Sequence, residues 1–467
     1  MKLRYIIIYL VIVFAIVFAC TKLINKDIVI YIGNEKVILK YDETSVNIDL
    51  QTFSSEFDTI ISEKELFAEI IVNGEKIEKK KNLGRLDINK SSTLEVEVRY
   101  LFGKTKKYSI NLLPSTFPDY TVKGESNYEG DYYTSTYSFD YDGNHYIFKM
   151  NKAGEIIFYK KTNMVAFDFR KEISKNGEIR YLYLEAFEND FDGATSLLPC
   201  HLVVLDENYN EIDRITHIKS NGKRLKLENH GYIYFDDNHY ILVAYETVTN
   251  QINDKEYNVY NCVIQEIRDG QVLWEFNSKD YEELYDYSTL EKLDYSIKYQ
   301  DYIHFNSMSV DLSDENLLCS FRNIDGIMKI NRNNGKLMWI LSGEGDEFNL
   351  NSNQKSSKQH SVLSLGDSRI LIYDNGNNLK RSRILEYAID EEKKTLKNFK
   401  QYNLGIYAFM MGSVRVIDEK NSVYLLCYGG ADYDKSSIQE LNLETGEVYF
   451  EFTFNNIKSL YNVNKYK

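Results

Sequence analysis

The chain has 467 residues, of which 43% are apolar, so it is long enough for two domains with packed cores. Its formal net charge is −14, and no run of consecutive basic residues is longer than Lys79–Lys81. Nucleic acid requires a basic face to neutralise its phosphates, so this balance excludes it as a partner. The 39 tyrosines and 24 phenylalanines, with only three prolines, favour strands and predict a mostly β protein.

The amino terminus carries a basic and then an apolar stretch that is typical of an export signal. Lys2 and Arg4 lie before fifteen apolar residues, 5–19. As a helix these would span roughly 22 Å, whereas a bilayer core requires roughly 30 Å. The four residues ending at Cys20 resemble the bacterial lipobox, in which the cysteine is lipidated when the signal is removed. We therefore expect residues 1–20 to be a signal peptide and the protein to be an extracytoplasmic lipoprotein anchored to the cell membrane. An uncleaved anchor and cleavage to a soluble form are the alternatives.

Residues 21–113 are interpreted as a separate small domain. Short runs such as LFAEIIVNGEK and STLEVEVRYLFG alternate apolar and polar residues and are separated by turn signals, which is typical of strands with one buried face. They predict a small Ig-like β-sandwich. Pro114 and Pro118 then stiffen a linker, so we place a domain boundary after residue 113 and assign residues 114–467 to a second domain.

The second domain repeats a pattern of apolar strand, polar turn and second strand. Six copies occur at a nearly constant spacing, with turns near positions 154, 210, 270, 335, 393 and 446. Each unit holds about four strand-length runs and no convincing long helix, which predicts a propeller blade of four antiparallel strands. The expected fold class is therefore all-β, with a six-bladed β-propeller after the sandwich. The closing strand comes from residues 119–139 or from the carboxyl end. Residues 280–296 interrupt the pattern, either as a lid or as a surface excursion.

Three of the seven histidines share one repeat position. Aligning the units by their innermost strands places His230, His304 and His360 at the start of that strand in the third, fourth and fifth units. Because innermost strands line the central channel of a propeller, we expect these three imidazoles to face one pocket. We expect the other four histidines to be structural or exposed, with His239 solvated beside its turn.

Two further polar residues favour an anion site in this pocket. Arg322 ends the second strand of the unit that carries His304, and Asn306 lies two residues after His304, where strand alternation places both side chains on one face. A guanidinium, three imidazoles and an amide form a donor-rich site that suits a tetrahedral anion. Zinc bound by the three histidines is the competing interpretation. We expect no metal, because Arg322 would repel a dication and no carboxylate shares the repeat position.

At these positions the sequence resembles the bacterial arylsulfate sulfotransferases, the ASST family. The resemblance runs from about Leu113 to Asp390, and the preceding domain is similar to the amino-terminal domain of that family. The His-x-Asn-Ser and Ser-x-Arg segments at their separation are fairly specific, whereas a turn such as GKLMW occurs in many propellers. The motifs that carry the resemblance are LLPSTFPDY, DYIHFNSMSVD, LLCSFRNIDGIMKINRNNGKLMWIL, KQHSVLSL, LIYDNG and SRILEYAID.

The resemblance implies a six-bladed propeller that transfers a sulfuryl group from a phenolic sulfate ester to a phenol, independently of phosphoadenosine phosphosulfate and without a diffusible cofactor. By motif, His360 would be the nucleophile that becomes transiently sulfurylated. His304, Asn306 and Arg322 would hold the sulfate oxygens. The implied partners are a small aromatic sulfate donor and a phenolic acceptor, and the family resemblance is compatible with a homodimer.

His230 would complete the pocket, although the sequence departs from the family at this point. The family commonly has an acidic residue directly after this histidine, whereas Gly231 stands here. The implied chemistry agrees with the residues themselves, because a neutral imidazole, with an ordinary pKa near 6.5, can attack sulfur directly. The second displacement needs a base for the acceptor phenol, and His304 or His230 would serve.

Two other functions fit the same residues. A non-catalytic, lipid-anchored propeller would bind sulfated or other anionic ligands at these donors without turning them over. A structural or adhesion protein would use the sandwich and keep the propeller as a scaffold. A quinone-dependent dehydrogenase fits poorly, because Trp274 and Trp339 are the only tryptophans and form no repeated motif.

Overall fold

Regular structure in this protein is nearly all β, as the composition predicts. The predicted signal segment, residues 1–20 with Cys20, lies outside the residues that the structure describes. None of the helices among the described residues combines the length and hydrophobicity that a membrane span requires. The computed structural model describes residues 27–32, 35–48, 52–54, 59–63, 68–80, 83–87, 93–100, 103–137, 143–188, 197–252, 255–290, 299–431, 437–455, 457 and 460–467.

The chain divides into two compact units after Phe117, and two short later stretches, Lys149–Asn151 and Glu155–Lys161, group with the first unit. The strands of the first unit, numbered in chain order, are β1 (Ile28–Ile32), β2 (Glu35–Leu39), β3 (Ser45–Asn47), β4 (Thr52–Ser54), β5 (Thr59–Glu63), β6 (Ala68–Val72), β7 (Glu75–Lys76), β8 (Glu78–Lys80), β9 (Leu83–Asp87), β10 (Thr93–Tyr100), β11 (Thr105–Asn111) and β15 (Ile156–Lys161).

The described strands of the first unit form two five-stranded sheets, ordered β2-β1-β5-β9-β8 and β3-β11-β10-β6-β7, while β4 pairs with β15. Strand β10 shows why the segment folds this way. Its buried Leu94, Val96 and Val98 alternate with more exposed positions such as Glu95. This is the alternation from which the sequence predicts strands here.

The second unit begins at Pro118. Helical segments among its described residues include α1 (Glu283–Asp286) and the single 3-10 turns Ser278–Asp280 and Arg322–Ile324. The remaining strands are β12 (Tyr120–Gly124), β13 (Asp131–Ser135), β14 (Tyr146–Met150), β16 (Ala166–Ile173), β17 (Ile179–Ala186), β18 (Cys200–Leu205), β19 (Glu211–Ile215), β20 (His217–Ser220), β21 (Lys223–Asp236), β22 (His239–Ile252), β23 (Lys255–Arg268), β24 (Gln271–Asn277), β25 (Phe305–Val310), β26 (Leu317–Phe321), β27 (Gly326–Ile330), β28 (Leu337–Leu341), β29 (Val362–Gly366), β30 (Arg369–Asp374), β31 (Arg383–Asp390), β32 (Thr395–Asn403), β33 (Ala408–Met410), β34 (Ser413–Asp418), β35 (Val423–Tyr428), β36 (Gly430–Ala431), β37 (Ser437–Asn442), β38 (Val448–Phe454) and β39 (Asn464–Tyr466).

Consecutive strands of the second unit form antiparallel sheets. β25 to β28 and β29 to β32 are four-stranded sheets in chain order, and β21 to β24 follow the same pattern. The single pair Cys200↔Leu227 joins β21 to the preceding strands β16 to β18. The first strands of successive sheets pack side by side, β16 against β21, β21 against β25 and β25 against β29. The repeat turns predicted near positions 210, 270, 335, 393 and 446 each join two paired strands, so those predictions are confirmed.

Both ends of the second unit add a strand to a distant sheet. β12 pairs with β38 at the edge of the sheet β34-β35-β37-β38, and β39 pairs with β13. The sequence leaves open whether the closing strand comes from residues 119–139 or from the carboxyl end. In the structure both regions contribute, so the chain ends are held by long-range pairing rather than by local turns.

The segment that interrupts the repeat packs into the core where the structure describes it. Leu284 and Tyr285 of α1 are buried in the same hydrophobic cluster as Tyr302. The interpretation as a surface excursion is therefore wrong for α1. The Thr289 backbone N–H donates to the Asn323 carbonyl at 2.7 Å, which brings the end of this segment close to Arg322 in the chain. The remainder, 291–296, lies outside the described residues.

Candidate active site

His304 lies immediately before β25, beside the carboxylate of Asp301. Its backbone φ is +50°, in the left-handed region that non-glycine residues seldom adopt. The Asp301 carboxylate accepts hydrogen bonds from the His304 backbone N–H, at 3.0 Å, and from Nδ1 of its ring. These two bonds set the orientation of the ring at the entrance to the strand.

His230 stands at a β-bulge inside β21, not at its start. The register between β21 and β22 shifts between Leu227 and Tyr232, which leaves the residues around His230 outside the regular ladder. The buried carboxylate of Glu228 accepts a hydrogen bond from the His230 backbone N–H at 2.9 Å and from Nδ1 at 2.6 Å. The prediction that His230 begins its strand is therefore wrong. Its ring is nevertheless oriented in the same manner as that of His304.

The rings of His230 and His304 meet edge to face, with 4.8 Å between their centroids. Tyr461, from the carboxyl end, packs against His230 at 5.6 Å between ring centroids. Its hydroxyl donates to the backbone carbonyls of His230, at 3.1 Å, and of Asn306, at 2.8 Å. The convergence expected from the repeat is thus found for these two histidines. By bonding to both backbone carbonyls, Tyr461 also links β21 to β25 beside the two rings.

His360 lies two residues before β29 and has a defined tautomer. Its Nδ1 lies 3.0 Å from the Lys358 carbonyl oxygen and 2.7 Å from Asn375 Oδ1, so Nδ1 carries the proton and donates to both. Asn375 is itself oriented, because its Nδ2 donates to the carbonyls of Ala408 at 2.8 Å and Met411 at 2.9 Å. Nε2 accepts the Met411 backbone N–H at 2.8 Å. The lone pair of His360 therefore lies on Nε2 and faces Met411.

Burial favours the neutral form of His360 and of His304. Burial lowers the pKa of His360 well below its ordinary value, and the positive charge of Arg322 lowers it further. His230 and His304 act on His360 in the same direction, so all four groups lie within electrostatic reach of one another. Burial also lowers the pKa of His304, against the opposing charge of Asp301. At neutral pH His360 is therefore a free base.

Arg322 directly follows β26, and its guanidinium has a neutral hydrogen-bond partner. The Arg322 backbone N–H donates to the His304 carbonyl at 2.8 Å, and Nη1 donates to Asn323 Oδ1 at 2.9 Å. The Lys358 ammonium reaches the same Asn323 oxygen at 3.5 Å and lies 3.9 Å from the Asp325 carboxylate. Burial lowers the pKa of Lys358 to about 8, and Arg322 contributes to the shift. Two cations thus share one neutral oxygen beside the histidines.

Asn306 does not lie at a regular strand position, although the prediction from strand alternation assumes that it does. A register shift between Phe305 and Ser307 places it in a bulge, directly after the left-handed residue His304. Its Nδ2 donates to the Gln359 carbonyl at 2.7 Å. Within the described part of the chain its buried Oδ1 has no hydrogen-bond partner. One amide N–H therefore ties β25 to the segment before β29. The contact of Asn306 with a sulfate oxygen stays a prediction.

His239 differs from its sequence interpretation. It is buried, and its Nε2 lies 2.6 Å from Glu266 Oε1. Trp274 and Arg332 also donate to Glu266, at 2.8 and 2.7 Å. The prediction that His239 is solvated is wrong, because it belongs to a buried ion-pair network at another place in the fold.

One group of side chains in the described residues converges closely enough to suggest a metal ion, namely Asp311, Asp314 and Glu391. The ammonium of Lys329 lies 2.8, 2.8 and 2.7 Å from their oxygens. Lys329 is fully buried, so its charge is matched by these carboxylates. The cluster is thus an internal salt bridge, and it is separate from the histidines.

Four partners of the site were not found from the sequence: Glu228, Asp301, Lys358 and Asn375. Glu228 and Asp301 lie two and three residues before their histidines, so carboxylates at that spacing were an available signal. Lys358 stands in the KQHSV motif. Asn375 follows β30 in LIYDNG, and only the pairing of β30 with β29 brings it to His360.

Successive antiparallel sheets and a buried, cation-rich cluster of histidines define an all-β, propeller-like protein with an anion-compatible site. A family model described as arylsulfotransferase (ASST) matches residues 124–463. The chain therefore belongs to the arylsulfotransferase family, a family of transferases, and the resemblance carried by its motifs is confirmed.

Three of the solved structures that match this chain do so at low sequence identity and with TM-scores below 0.5. A protein of unknown function from Bacteroides caccae is 13% identical, with 73% of this chain and 99% of that chain covered and a TM-score of 0.44. A mutant apocarotenoid oxygenase from Synechocystis is 9% identical, with 76% and 97% covered and a TM-score of 0.39. The β-propeller domain of Cps50 (Swd1) from Myceliophteria thermophila is 8% identical, with 74% and 89% covered and a TM-score of 0.35. No curated protein matches this chain.

Proposed function

We propose that this protein is an arylsulfate sulfotransferase that moves a sulfuryl group from a phenolic sulfate ester to a phenol through a sulfohistidine at Nε2 of His360, independently of phosphoadenosine phosphosulfate. Family membership supports the reaction class. The neutral, Nδ1-protonated state of His360 supports its role as nucleophile. The neighbouring cations Arg322 and Lys358 support the binding of a sulfate group.

In the first displacement, the Nε2 lone pair forms an N–S bond while the S–O bond to the aryl group breaks, and the electron pair leaves with the phenolate. The proton stays on Nδ1, held by the Lys358 carbonyl and Asn375. In the second displacement, the acceptor phenol gives its proton to a base, its oxygen forms the new O–S bond, and the N–S bond breaks. His360 is thereby restored to its neutral form.

The base is one of the two histidines that have carboxylate partners. Taking up a proton converts an imidazole to an imidazolium, and an adjacent carboxylate stabilises that charge. His304 has Asp301 and His230 has Glu228 in this position. Both remain candidates for the proton transfer, and their rings lie side by side.

Arg322 and Lys358 would stabilise the oxygens of the sulfuryl group. Negative charge develops on these oxygens and on the bridging oxygen as the bond to the leaving group breaks, so fixed cations nearby lower the barrier. The guanidinium and ammonium are partly buried, and both contact the neutral Oδ1 of Asn323. The charge of Arg322, whose side-chain hydrogen bond goes to a neutral oxygen, is therefore still available to an anion, whereas Lys358 is partly compensated by Asp325.

The observation that carries the proposal is the difference in partner among the histidines. His360 is held by an amide, which orients the ring and carries no negative charge, and burial together with Arg322 holds its pKa well below the ordinary value. His304 and His230 are held by carboxylates, which do favour the charged form. A nucleophile needs an unprotonated ring nitrogen, which His360 has at Nε2 once the contact with the Met411 N–H is exchanged, and a base needs a stabilised conjugate acid. The three environments therefore match a division into one nucleophile and two bases.

The test is to mix the protein with 4-nitrophenyl sulfate, quench it within the first turnover and examine the His360 peptide by mass spectrometry. We expect a mass increase of one SO₃ group on that peptide, together with release of 4-nitrophenol. His360→Ala should abolish both, whereas the matched control His217→Ala should retain both. A full burst of 4-nitrophenol without any adduct on His360 would remove the covalent step.

One observation favours a second candidate, a propeller that binds sulfated or other anionic ligands without turnover. Nε2 of His360 accepts the Met411 N–H, and attack requires that this contact be exchanged for sulfur. A binding protein needs no such exchange. In that case the wild-type protein would bind 4-nitrophenyl sulfate in calorimetry, would release no 4-nitrophenol, and would keep its affinity in His360→Ala.

The proposal includes a finer architecture and a location. The sheets of the second unit would be the blades of a six-bladed propeller that forms the catalytic domain, residues 114–467, and the first unit would be an Ig-like sandwich, residues 21–113. Residues 1–20 would be a lipoprotein signal, with Cys20 lipidated at the outer face of the cell membrane. Labelling with radioactive palmitate tests the anchor, because Cys20→Ala should lose the label. Light scattering of the exported form tests the proposed homodimer.

A further inference from the structure

A cavity of about 330 Å³ is lined by His230 and His360 together with residues of β25, β29 and β34. Three cationic residues line it, Arg170, Arg415 and Lys465, and no aspartate or glutamate is among its lining residues. The whole chain carries a formal net charge of −14. The chain as a whole is acidic, whereas the residues lining this cavity include cations and no acidic side chain. Such a lining favours the binding of a negatively charged ligand.

Two of the three cations are neutralised inside the protein. The Arg170 guanidinium donates to both oxygens of Asp168, with its Nε at 2.8 Å. The Lys465 ammonium lies 2.8 Å from the Glu440 carboxylate. These two residues need no ligand, because each has a carboxylate of its own.

Arg415 has only neutral partners. Its Nε donates to Asn464 Oδ1 at 2.8 Å, and its Nη1 donates to Ser361 Oγ at 3.1 Å and to the Val414 carbonyl at 2.9 Å. An arginine cannot lose its charge in a protein, so this guanidinium brings an unmatched positive charge to the cavity wall. These partners orient the Arg415 side chain but do not compensate its positive charge.

The surrounding charges do not supply the missing carboxylate. Asp168 is close enough to influence Arg415, but its oxygens accept from Arg170 and from Asn462. Burial lowers the pKa of Arg415, and repulsion from Arg170 adds to that shift. Arg170, Asp168 and Arg415 therefore lie within electrostatic reach of one another, and Glu172 also acts on Arg170. In the described residues the hydrogen bonds of Arg415 nevertheless go to neutral oxygens rather than to either carboxylate.

A buried hydroxyl without a hydrogen-bond partner in the described part of the chain lies among the residues of the cavity wall. Ser309 of β25 lines the cavity, and its buried Oγ has no hydrogen-bond partner in the described residues. A buried polar group without a partner destabilises the fold unless a ligand or water satisfies it. A hydroxyl from β25 and a guanidinium with neutral partners from β34, both lining this cavity, match an oxygen-bearing anion.

We infer that this cavity is an oxyanion-binding site distinct from the Arg322 and Lys358 cluster, with Arg415 as its main charged contact. Arg322 and Lys358 do not line it. The ligand is a carboxylate, sulfate or sulfonate group. It arrives either as a free inorganic anion or as the anionic substituent of an aromatic molecule whose ring packs on Met308, Leu363 and Tyr461 in the same cavity. The inference does not rest on the proposed function, because binding alone satisfies it.

The test measures binding to the full chain by calorimetry, in a background of Arg322→Met that removes the charge of the candidate active site. The probes are inorganic sulfate, 4-hydroxybenzoate and uncharged phenol. The key variant is Asn464→Asp, which is nearly isosteric and places a carboxylate on Arg415. Arg415→Met is the direct variant, and Arg180→Met, whose guanidinium is paired with Asp237, is the matched control.

Asn464→Asp and Arg415→Met should each weaken anion binding by about tenfold to a hundredfold, the range for a lost charge-assisted hydrogen bond, while phenol binding and the control stay unchanged. Sulfate binding lost in both variants identifies a site for free oxyanions. Loss confined to 4-hydroxybenzoate identifies a site for substrate-borne anions. If each probe binds every variant with the same affinity as it binds the Arg322→Met background, the inference is wrong. Circular dichroism shows whether each variant is folded, so Asn464→Asp still gives a result if Arg415→Met does not fold.

Discussion

Two cations from neighbouring parts of the chain, the buried Lys329 and the partly buried Arg322, differ in whether carboxylates compensate their charge. Lys329 on β27 is fully buried and has three carboxylate partners, Asp311, Asp314 and Glu391, at 2.7 to 2.8 Å. Arg322, directly after β26, donates its side-chain hydrogen bond to the neutral Asn323. The neighbouring carboxylates, Asp301 and Asp325, influence Arg322 without bonding to it.

The difference separates a structural charge from a functional one. A cation surrounded by carboxylates is satisfied when the protein folds, so removing it leaves the carboxylates uncompensated. A cation with a neutral partner retains its field for a ligand, so removing it harms binding more than folding. The same reasoning distinguishes Arg170, which has Asp168, from Arg415, which has only neutral partners.

The largest expected effect is on stability, at Lys329. Lys329→Met should lower the free energy of unfolding by about 2 to 4 kcal/mol, somewhat less than for a fully buried pair, because Asp314 and Glu391 are partly exposed. Urea denaturation measures the change, and the rate per folded molecule should be unaltered. The exposed Lys397→Met is the control and should change stability by no more than about 0.5 kcal/mol. A loss of activity without a loss of stability would reverse the structural assignment of Lys329.

Arg322→Met should show the opposite pattern. We expect kcat/KM for 4-nitrophenyl sulfate to fall on the order of a hundredfold or more, by analogy with the loss of one oxyanion donor. The free energy of unfolding should change little, because no carboxylate is left without a partner. The rate of 4-nitrophenol release gives kcat/KM, and urea denaturation of the same sample gives the free energy of unfolding. Arg180→Met, which removes a compensated guanidinium, should leave kcat/KM unchanged; an equal fall in both variants would refute the distinction.

Asn375→Asp adds a carboxylate where His360 has an amide. The new charge favours the imidazolium, so it should raise the pKa of His360, which burial holds well below its ordinary value in the wild type. The neutral nucleophile would then be lost as the pH falls through this higher pKa. We expect the acid side of the kcat/KM profile to move to higher pH in Asn375→Asp, with the least change at alkaline pH. A profile that keeps its acid limb in place would show that Asn375 does not set the protonation of His360.

The smallest effect is expected at Lys358. Its pKa is lowered to about 8, so its ammonium loses charge as the pH rises through about 8, and sulfate stabilisation should weaken in that direction. Lys358→Met should remove this alkaline limb from the kcat/KM profile. It should also lower the rate at neutral pH by about fivefold at most, as expected for a partly exposed cation. An unchanged alkaline limb in Lys358→Met would assign it to another group.

Sequence reasoning predicted the repeats better than the site. The hairpin turns are encoded locally, by glycine or asparagine between apolar runs, and so their positions near 210, 270, 335, 393 and 446 are confirmed. The prediction of which side chains face one another assumed ideal strand alternation. Bulges at His230 and Asn306, and the left-handed φ of His304, break that alternation.

The sequence by itself determined that the protein is mostly β, where its repeated strands turn and which family it belongs to, because these depend on short runs of residues. Only the tertiary structure decided which charges are compensated. Lys329 meets Glu391 and Arg415 meets Asn464 across long stretches of chain, since strand pairing and sheet packing bring them together. The amide partner of His360, Asn375, arises in the same way. Compensation is a property of three-dimensional neighbours, so no local pattern records it.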